Sequence, residues 1–141
     1  MMKGATGMKK IAIMGLAALA ATGAAAKPPE PFPVGYDAAY RTFLSSLTPA
    51  ERQMSWLGKL MGVYSPKASI SIGGKPHFWI STCKPHDCAE NQAVIFLPAD
   101  RKQAKTVLRI NGALRLRGGA SAAEAACVNR LFNSGWTITR C

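Results

Sequence analysis

Six consecutive residues, Cys83-Lys84-Pro85-His86-Asp87-Cys88, bring a thiol pair, an imidazole and a carboxylate within reach of one another. Several chemistries could use them. A thiol redox site usually holds its cysteines two residues apart at a helix N-terminus, whereas four residues separate Cys83 from Cys88 between two apolar stretches. A zinc site could draw on Cys83, Cys88, His86 and His77, but the short loop would have to fold three ligands onto one ion. A disulfide would close the loop instead. The loop-entropy model credits so short a closure with only about 2 kcal/mol, so its main effect would be shape. With Pro85 fixing one φ, such a bond would hold His86 and Asp87 at the tip of a stiff protrusion, and rigidity before binding lowers the ordering cost of binding. The plainer alternative is a structural hairpin disulfide with an incidental, solvated His86.

The elements that must position this loop are legible on both sides of it. Tyr36, Tyr40, Phe43, Leu44 and Leu47 recur at helical spacing and predict a first helix. Thr48-Pro49-Ala50-Glu51 reads as a capping box with proline at the first helical position, opening a second helix whose buried stripe would be Met54, Leu57, Leu60 and Met61. After Gly62 the apolar period changes to two. Residues 68–72 and 77–82 predict a hairpin across Gly73-Gly74, residues 93–97 a third strand, and residues 106–110 and 113–117 a second hairpin across Asn111-Gly112. Ser121 to Glu124 repeats the capping-box pattern and opens an Ala-rich third helix through Phe132, which Gly135 can end. The expected class is α+β, a five-stranded antiparallel sheet with helices packed on one face.

The chain has 141 residues, 48% of them hydrophobic, which is enough for one domain and excludes a large multidomain enzyme. Residues 1–10 carry three lysines and no acid, residues 11–21 carry no charge, and Ala24, Ala25 and Ala26 follow. Residues 1–26 therefore read as a secretory signal peptide, its apolar stretch too short for a bilayer span. The four prolines of residues 27–35 predict an extended, mobile leader, leaving residues 36–141 as the single folded domain. Removing Lys3, Lys9 and Lys10 from 18 basic residues leaves 15 against 7 acids, a mature net charge of +8. An even number of cysteines in a secreted chain points to disulfides.

The hexapeptide CKPHDC, preceded by SWLGKLMGVYSPKASISIGGKPHFWIST, resembles the signature of the inhibitor of vertebrate lysozyme family, known as Ivy. The spacing from Trp56 through Tyr64-Ser65-Pro66 to Cys83 follows the same pattern, so the resemblance covers roughly residues 47–118. It implies a periplasmic protein with a central antiparallel sheet, whose CKPHDC loop enters the active-site cleft of c-type lysozyme. Carried onto this chain, it implies that His86 engages the catalytic carboxylates, that Cys83 and Cys88 hold the loop in shape, and that Lys84, Pro85 and Asp87 complete the contact. The implied partner is c-type lysozyme, with no metal, no cofactor and no nucleic acid; a homodimer is compatible with the sequence. Because c-type lysozymes are usually basic, a +8 inhibitor should bind more weakly as salt is lowered.

Cys127 and Cys141 fall outside that motif. Four cysteines allow three connectivities, and pairing 83 with 88 and 127 with 141 keeps both loops local. The second loop would contribute about 3 kcal/mol on the loop-entropy model and tie down the C-terminus. Arg101, Lys102, Lys105, Arg109, Arg115 and Arg117 offer a different function, an envelope protein whose basic sheet face binds an anionic glycan or lipid; the plainer reading is a solvated face. Trp56, Trp79 and Trp136 sit in apolar runs and are expected to pack. No nucleophile elbow, phosphate loop or paired-carboxylate set is present in the sequence, so the expectation is a non-enzyme.

Overall fold

Both capping boxes form. Thr48 Oγ1 accepts the Glu51 amide at 3.2 Å while Glu51 Oε1 accepts the Thr48 amide at 3.0 Å, and the Ser121 hydroxyl and Glu124 carboxylate make the equivalent start of the C-terminal helix. The computed structural model describes residues 27–30 and 32–141, and the segment read as a signal peptide lies outside the described residues. Its elements are α1 (Asp37–Ser46), α2 (Pro49–Gln53), α3 (Ser55–Gly58), β1 (Val63–Ile72), β2 (Lys75–Cys83), β3 (Gln92–Pro98), β4 (Lys105–Ile110), β5 (Ala113–Arg117) and α4 (Ala122–Asn133). Among the described residues no helix is long and apolar enough to cross a membrane.

The expected second helix is two short ones. Met54 takes an extended conformation between α2 and α3, which re-aims the chain so that Trp56 and Leu57 both reach the core. Leu60 is buried with a left-handed φ of 52°, and Met61, placed in the buried stripe by helical spacing, is 70% exposed. The end of the segment expected to be a mobile leader also folds inward. Phe32 is buried edge-on against Tyr40, with ring centroids 5.1 Å apart.

The five strands form an antiparallel meander in the order β1-β2-β3-β4-β5. Two-residue turns join its hairpins, with positive φ at Gly73 and Gly74 and at Asn111 and Gly112. The α+β class and the five-stranded antiparallel sheet are as expected, but the helices occupy both faces. On one, Phe43, Leu47, Trp56 and Leu57 pack on Ile80, Ile95, Leu97 and Leu108. On the other, Cys127, Val128 and Leu131 of α4 pack on Trp79, Val94, Phe96 and Val107. The reason lies in β3, where Ala93, Val94, Ile95, Phe96 and Leu97 run without a polar residue to turn to water and are all fully buried. An unbroken apolar strand needs cover on both sides.

The C-terminus docks on the outer edge of β1. Ser71 N–H donates to the Thr139 carbonyl and Cys141 N–H to the Ser71 carbonyl, both at 2.8 Å, which covers part of an edge strand. Cys127 bonds Cys141, fixing that docking to α4.

Candidate functional site

The loop leaves the sheet where β2 ends. Cys83 is still paired, with Val63 of β1 on one side and Gln92 of β3 on the other, and the chain then bulges outward before β3 begins. Cys83 and Cys88 are disulfide-bonded, with their Cα atoms 5.0 Å apart. Neither sulfur is therefore a free thiol, and this removes the redox-dithiol and thiolate-ligand readings in the bonded state. Lys84, Pro85, His86 and Cys88 are exposed, and Asp87 is half-buried.

Within the ring, Asp87 N–H donates to the Lys84 carbonyl at 3.0 Å, closing a four-residue turn. Pro85 is its second residue and His86 its third. His86 has φ 66°, the left-handed value that the third position of a type II turn demands and that glycine or asparagine normally supplies. A histidine there costs on the order of 1–2 kcal/mol against a right-handed or extended backbone. The turn persists because its flanks over-determine it: Pro85 fixes one φ, the disulfide fixes the ends, and the chain leaving the loop is held by Asn91. The outcome is an imidazole at the crest of a protrusion, with no protein partner among the described contacts.

Asn91 was not visible as a site residue in the sequence. It is 4% exposed and makes four hydrogen bonds at the base of the loop. Its carbonyl accepts from Lys84 N–H and its own N–H donates to the Asp87 carbonyl, each at 3.0 Å. Its side-chain amide donates to Asp87 Oδ2 at 2.8 Å and accepts from Asn111 N–H at 3.0 Å. Asp87 thus has one carboxylate oxygen turned inward to the base of the loop. Through Asn111 the loop is joined to the β4–β5 turn, and Gly112 N–H adds a bond to the Glu90 carbonyl at 3.0 Å.

The base is also closely packed from the helical side. The Thr82 hydroxyl donates to the Trp56 carbonyl at 2.8 Å. A Cβ on Gly62 would overlap the Cys83 carbonyl oxygen and crowd the Trp56 Cβ, so only glycine lets the two segments approach as they do. Two apolar hollows lie at opposite ends of β2: one of about 430 Å³, lined by Tyr36, Ile70, His77, Phe78 and Leu97 among others, at the far end, and one of about 450 Å³, lined by Trp79, Cys83, Cys88, Phe132 and Trp136 among others, beside the base of the loop. The turn itself, Lys84-Pro85-His86, is exposed and lines neither hollow, a shape for entering another molecule's cleft rather than enclosing a ligand.

Arg109, Arg115 and Arg117, offered as part of the alternative basic face, do not share one face of the sheet. By register Arg115 lies opposite Leu108 and Arg117 opposite Thr106, on the α1–α3 side, while Arg109 lies opposite Leu114 and points to the α4 side. Arg115 Nη1 and Arg117 Nη2 donate to Glu51 Oε2 at 3.0 and 2.7 Å, and Arg117 Nε donates to Glu51 Oε1 at 3.0 Å. Glu51 is fully buried, and the Arg117 hydrogen bonds, opposed by burial and helped by the Thr48 amide and Arg115, hold its carboxyl down at about 2. Two of the arginines assigned to ligand binding thus neutralise a buried carboxylate. Trp56 and Trp79 are core residues, and Trp136 packs half-buried on Trp79 with ring centroids 5.2 Å apart.

Sequence comparison with known proteins shows the family. The protein "Inhibitor of vertebrate lysozyme" of Pseudomonas aeruginosa is 27% identical over 104 residues, 73% of this chain and 68% of that protein. The model of the family described as Inhibitor of vertebrate lysozyme (Ivy) matches residues 39–127, which runs from α1 through the sheet and the loop into α4. With well over half of its length matched, the chain belongs to the Ivy family, a family of inhibitors and not of enzymes.

Proposed function

We propose that this protein is secreted to the periplasm and inhibits c-type lysozyme by inserting the Cys83–Cys88 loop into the active-site cleft, where His86 engages the catalytic carboxyls. The observation that carries the reading is His86 itself, exposed at the crest of a disulfide-closed turn with a φ of 66°. Backbone strain maintained by surrounding structure is characteristic of functional sites, and here it orients an unpartnered imidazole outward. The family's description and the relative's name, both inhibitor of vertebrate lysozyme, support a lysozyme as the target.

Lysozyme cleaves its glycan with one protonated glutamic acid and one ionised aspartate on either side of the scissile bond. A neutral imidazole between them donates through one ring nitrogen to the carboxylate and accepts from the acid through the other. Both groups are then occupied and the sugar is excluded. Lys84 and Pro85 shape the crest beside His86, and one oxygen of Asp87 stays engaged with Asn91. Because the turn is formed before contact, little ordering entropy opposes docking.

The test is the rate of cell-wall lysis by a c-type lysozyme with added mature protein, wild type against His86→Ala. Wild type should suppress lysis, and the variant should require at least roughly tenfold more protein, the loss of one or two charge-assisted hydrogen bonds. Equal inhibition by the two proteins would refute His86 as the inserted group, and no inhibition by either would refute the loop mechanism.

A further inference from the structure

We infer that Asn91 is a positioning residue for inhibition, the clamp that holds the His86 turn in the conformation presented to lysozyme; its functional half rests on the loop reading above. The argument starts from strain. A histidine at φ 66° relaxes to a right-handed or extended conformation unless its neighbours forbid it. The disulfide alone does not forbid it, because a ring of six residues closed only at its ends keeps several free dihedrals. What remains is the chain between Asp87 and Gln92, and Asn91 bonds both limbs of the loop at once. Its carbonyl holds Lys84 on the outgoing limb, and its N–H and side-chain amide hold Asp87 on the returning limb.

The choice of side chain is specific. An amide offers a donor and an acceptor from one planar group, and here the donor meets the Asp87 carboxylate while the acceptor meets the Asn111 amide of the neighbouring turn. Aspartate keeps the acceptor and loses the donor, and leucine keeps neither. With the group 4% exposed, water cannot replace a lost partner without opening the loop. The clamp therefore ties the crest to the β4–β5 hairpin, so that His86 moves with the sheet and not with the loop alone.

The experiment is a substitution cycle read in two ways: amide hydrogen exchange at Lys84, Asp87 and residue 91 in the free protein, and lysozyme affinity. The variants are Asn91→Asp, Asp87→Asn and the double swap. Asn91→Asp sets two carboxylates against each other, and should speed exchange at all three amides and weaken lysozyme binding by roughly tenfold or more. Asp87→Asn keeps a donor facing an acceptor and should leave exchange near wild type. The double swap reverses donor and acceptor across the same contact, and should recover both slow exchange and the affinity of Asp87→Asn. A merely structural role would not show that recovery at unchanged global stability. Unchanged exchange in Asn91→Asp, or a swap that stays as weak as Asn91→Asp, would overturn the clamp. Wild-type protein that binds no lysozyme would refute the loop reading instead, and the exchange data would then decide by themselves whether Asn91 holds the turn.

Discussion

The two disulfides differ in nearly every physical respect. Cys83–Cys88 spans a sequence separation of 5 and ends on an exposed cysteine beside an exposed turn, whereas Cys127–Cys141 spans 14 and starts from a residue only 1% exposed, inside the α4 core. On the loop-entropy model the first closure contributes about 2 kcal/mol and the second about 3 kcal/mol. The second bond keeps the C-terminal residues on the edge of β1 and belongs to the framework. The first encloses a strained histidine and, on the proposed loop mechanism, belongs to presentation. The same covalent chemistry therefore serves stability where it closes a long segment on a core, and shape where it closes a short one in solvent.

If the molecule divides in this way, damage to the framework should lower stability without altering the crest. The largest such effect is expected at Glu51, on the face opposite α4. Removing one partner from a buried ion pair costs about 3–5 kcal/mol, and the lower end applies here because the arginines left without their counterion are part-exposed. Glu51→Gln keeps the size and removes the charge, and should lower the unfolding free energy by roughly 3 kcal/mol while folded protein still inhibits. Acid acts on the same group. Its folded carboxyl sits at about 2 against an ordinary 4.5, so its contribution is fully present above pH 4.5 and is lost as the pH falls towards 2. Glu124 acts in the same direction: burial raises its carboxyl, but the Ser121 hydrogen bonds and Lys105 hold it below its usual range. Denaturant titrations between pH 5 and pH 2 should show wild type losing stability across that window and Glu51→Gln losing much less. Parallel curves for the two proteins would refute this assignment.

Next in size are the disulfides. Cys127→Ala with Cys141→Ala should lower stability by about 3 kcal/mol and leave inhibition by the folded fraction unchanged. Cys83→Ala with Cys88→Ala should cost at most about 2 kcal/mol, and yet weaken inhibition at least roughly tenfold as the turn gains freedom. Thermal or denaturant unfolding gives the first quantity, and lysozyme titration gives the second. If both pairs reduced stability and inhibition in proportion, the division between framework and presentation would collapse.

Much of the framework was legible because its signals are local. Thr48 and Ser121 announce helix starts three residues before their partners, and Gly73-Gly74 and Asn111-Gly112 can hardly be anything but tight turns. CKPHDC was equally plain as a short sequence. What escaped depends on groups far apart in the chain. Arg115 and Arg117 looked like a solvated stripe, because nothing near them shows that Glu51, 64 and 66 residues away, is buried beside them. Asn91 in Cys88-Ala89-Glu90-Asn91 reads as an ordinary loop residue, and its role appears only when the β3–β4 register brings Asn111 to its side chain. The distribution of helices was readable in principle, since residues 93–97 alternate nothing; a strand with two apolar faces asks for two covers.

The smallest effect on stability comes from His86→Gly, and it separates the two regions most sharply because stability and function should move in opposite directions. Glycine populates a φ near 66° without the Cβ clash that histidine suffers there, while the unfolded chain gains entropy from the same change. Relief of about 1–2 kcal/mol of strain, less about 0.4–1 kcal/mol of added unfolded-state entropy, leaves a net change between zero and about 1.6 kcal/mol in favour of the variant. The turn itself should survive, with Asp87 still bonded to Lys84 and Asn91. Inhibition should nevertheless fall as far as in His86→Ala, because the imidazole is gone. A variant at least as stable as wild type, with the loop amides as slow to exchange and lysozyme no longer blocked, would show that the strain at residue 86 is maintained for its side chain. If His86→Gly instead inhibited like wild type, the backbone of the loop would be the inhibitor and the imidazole incidental.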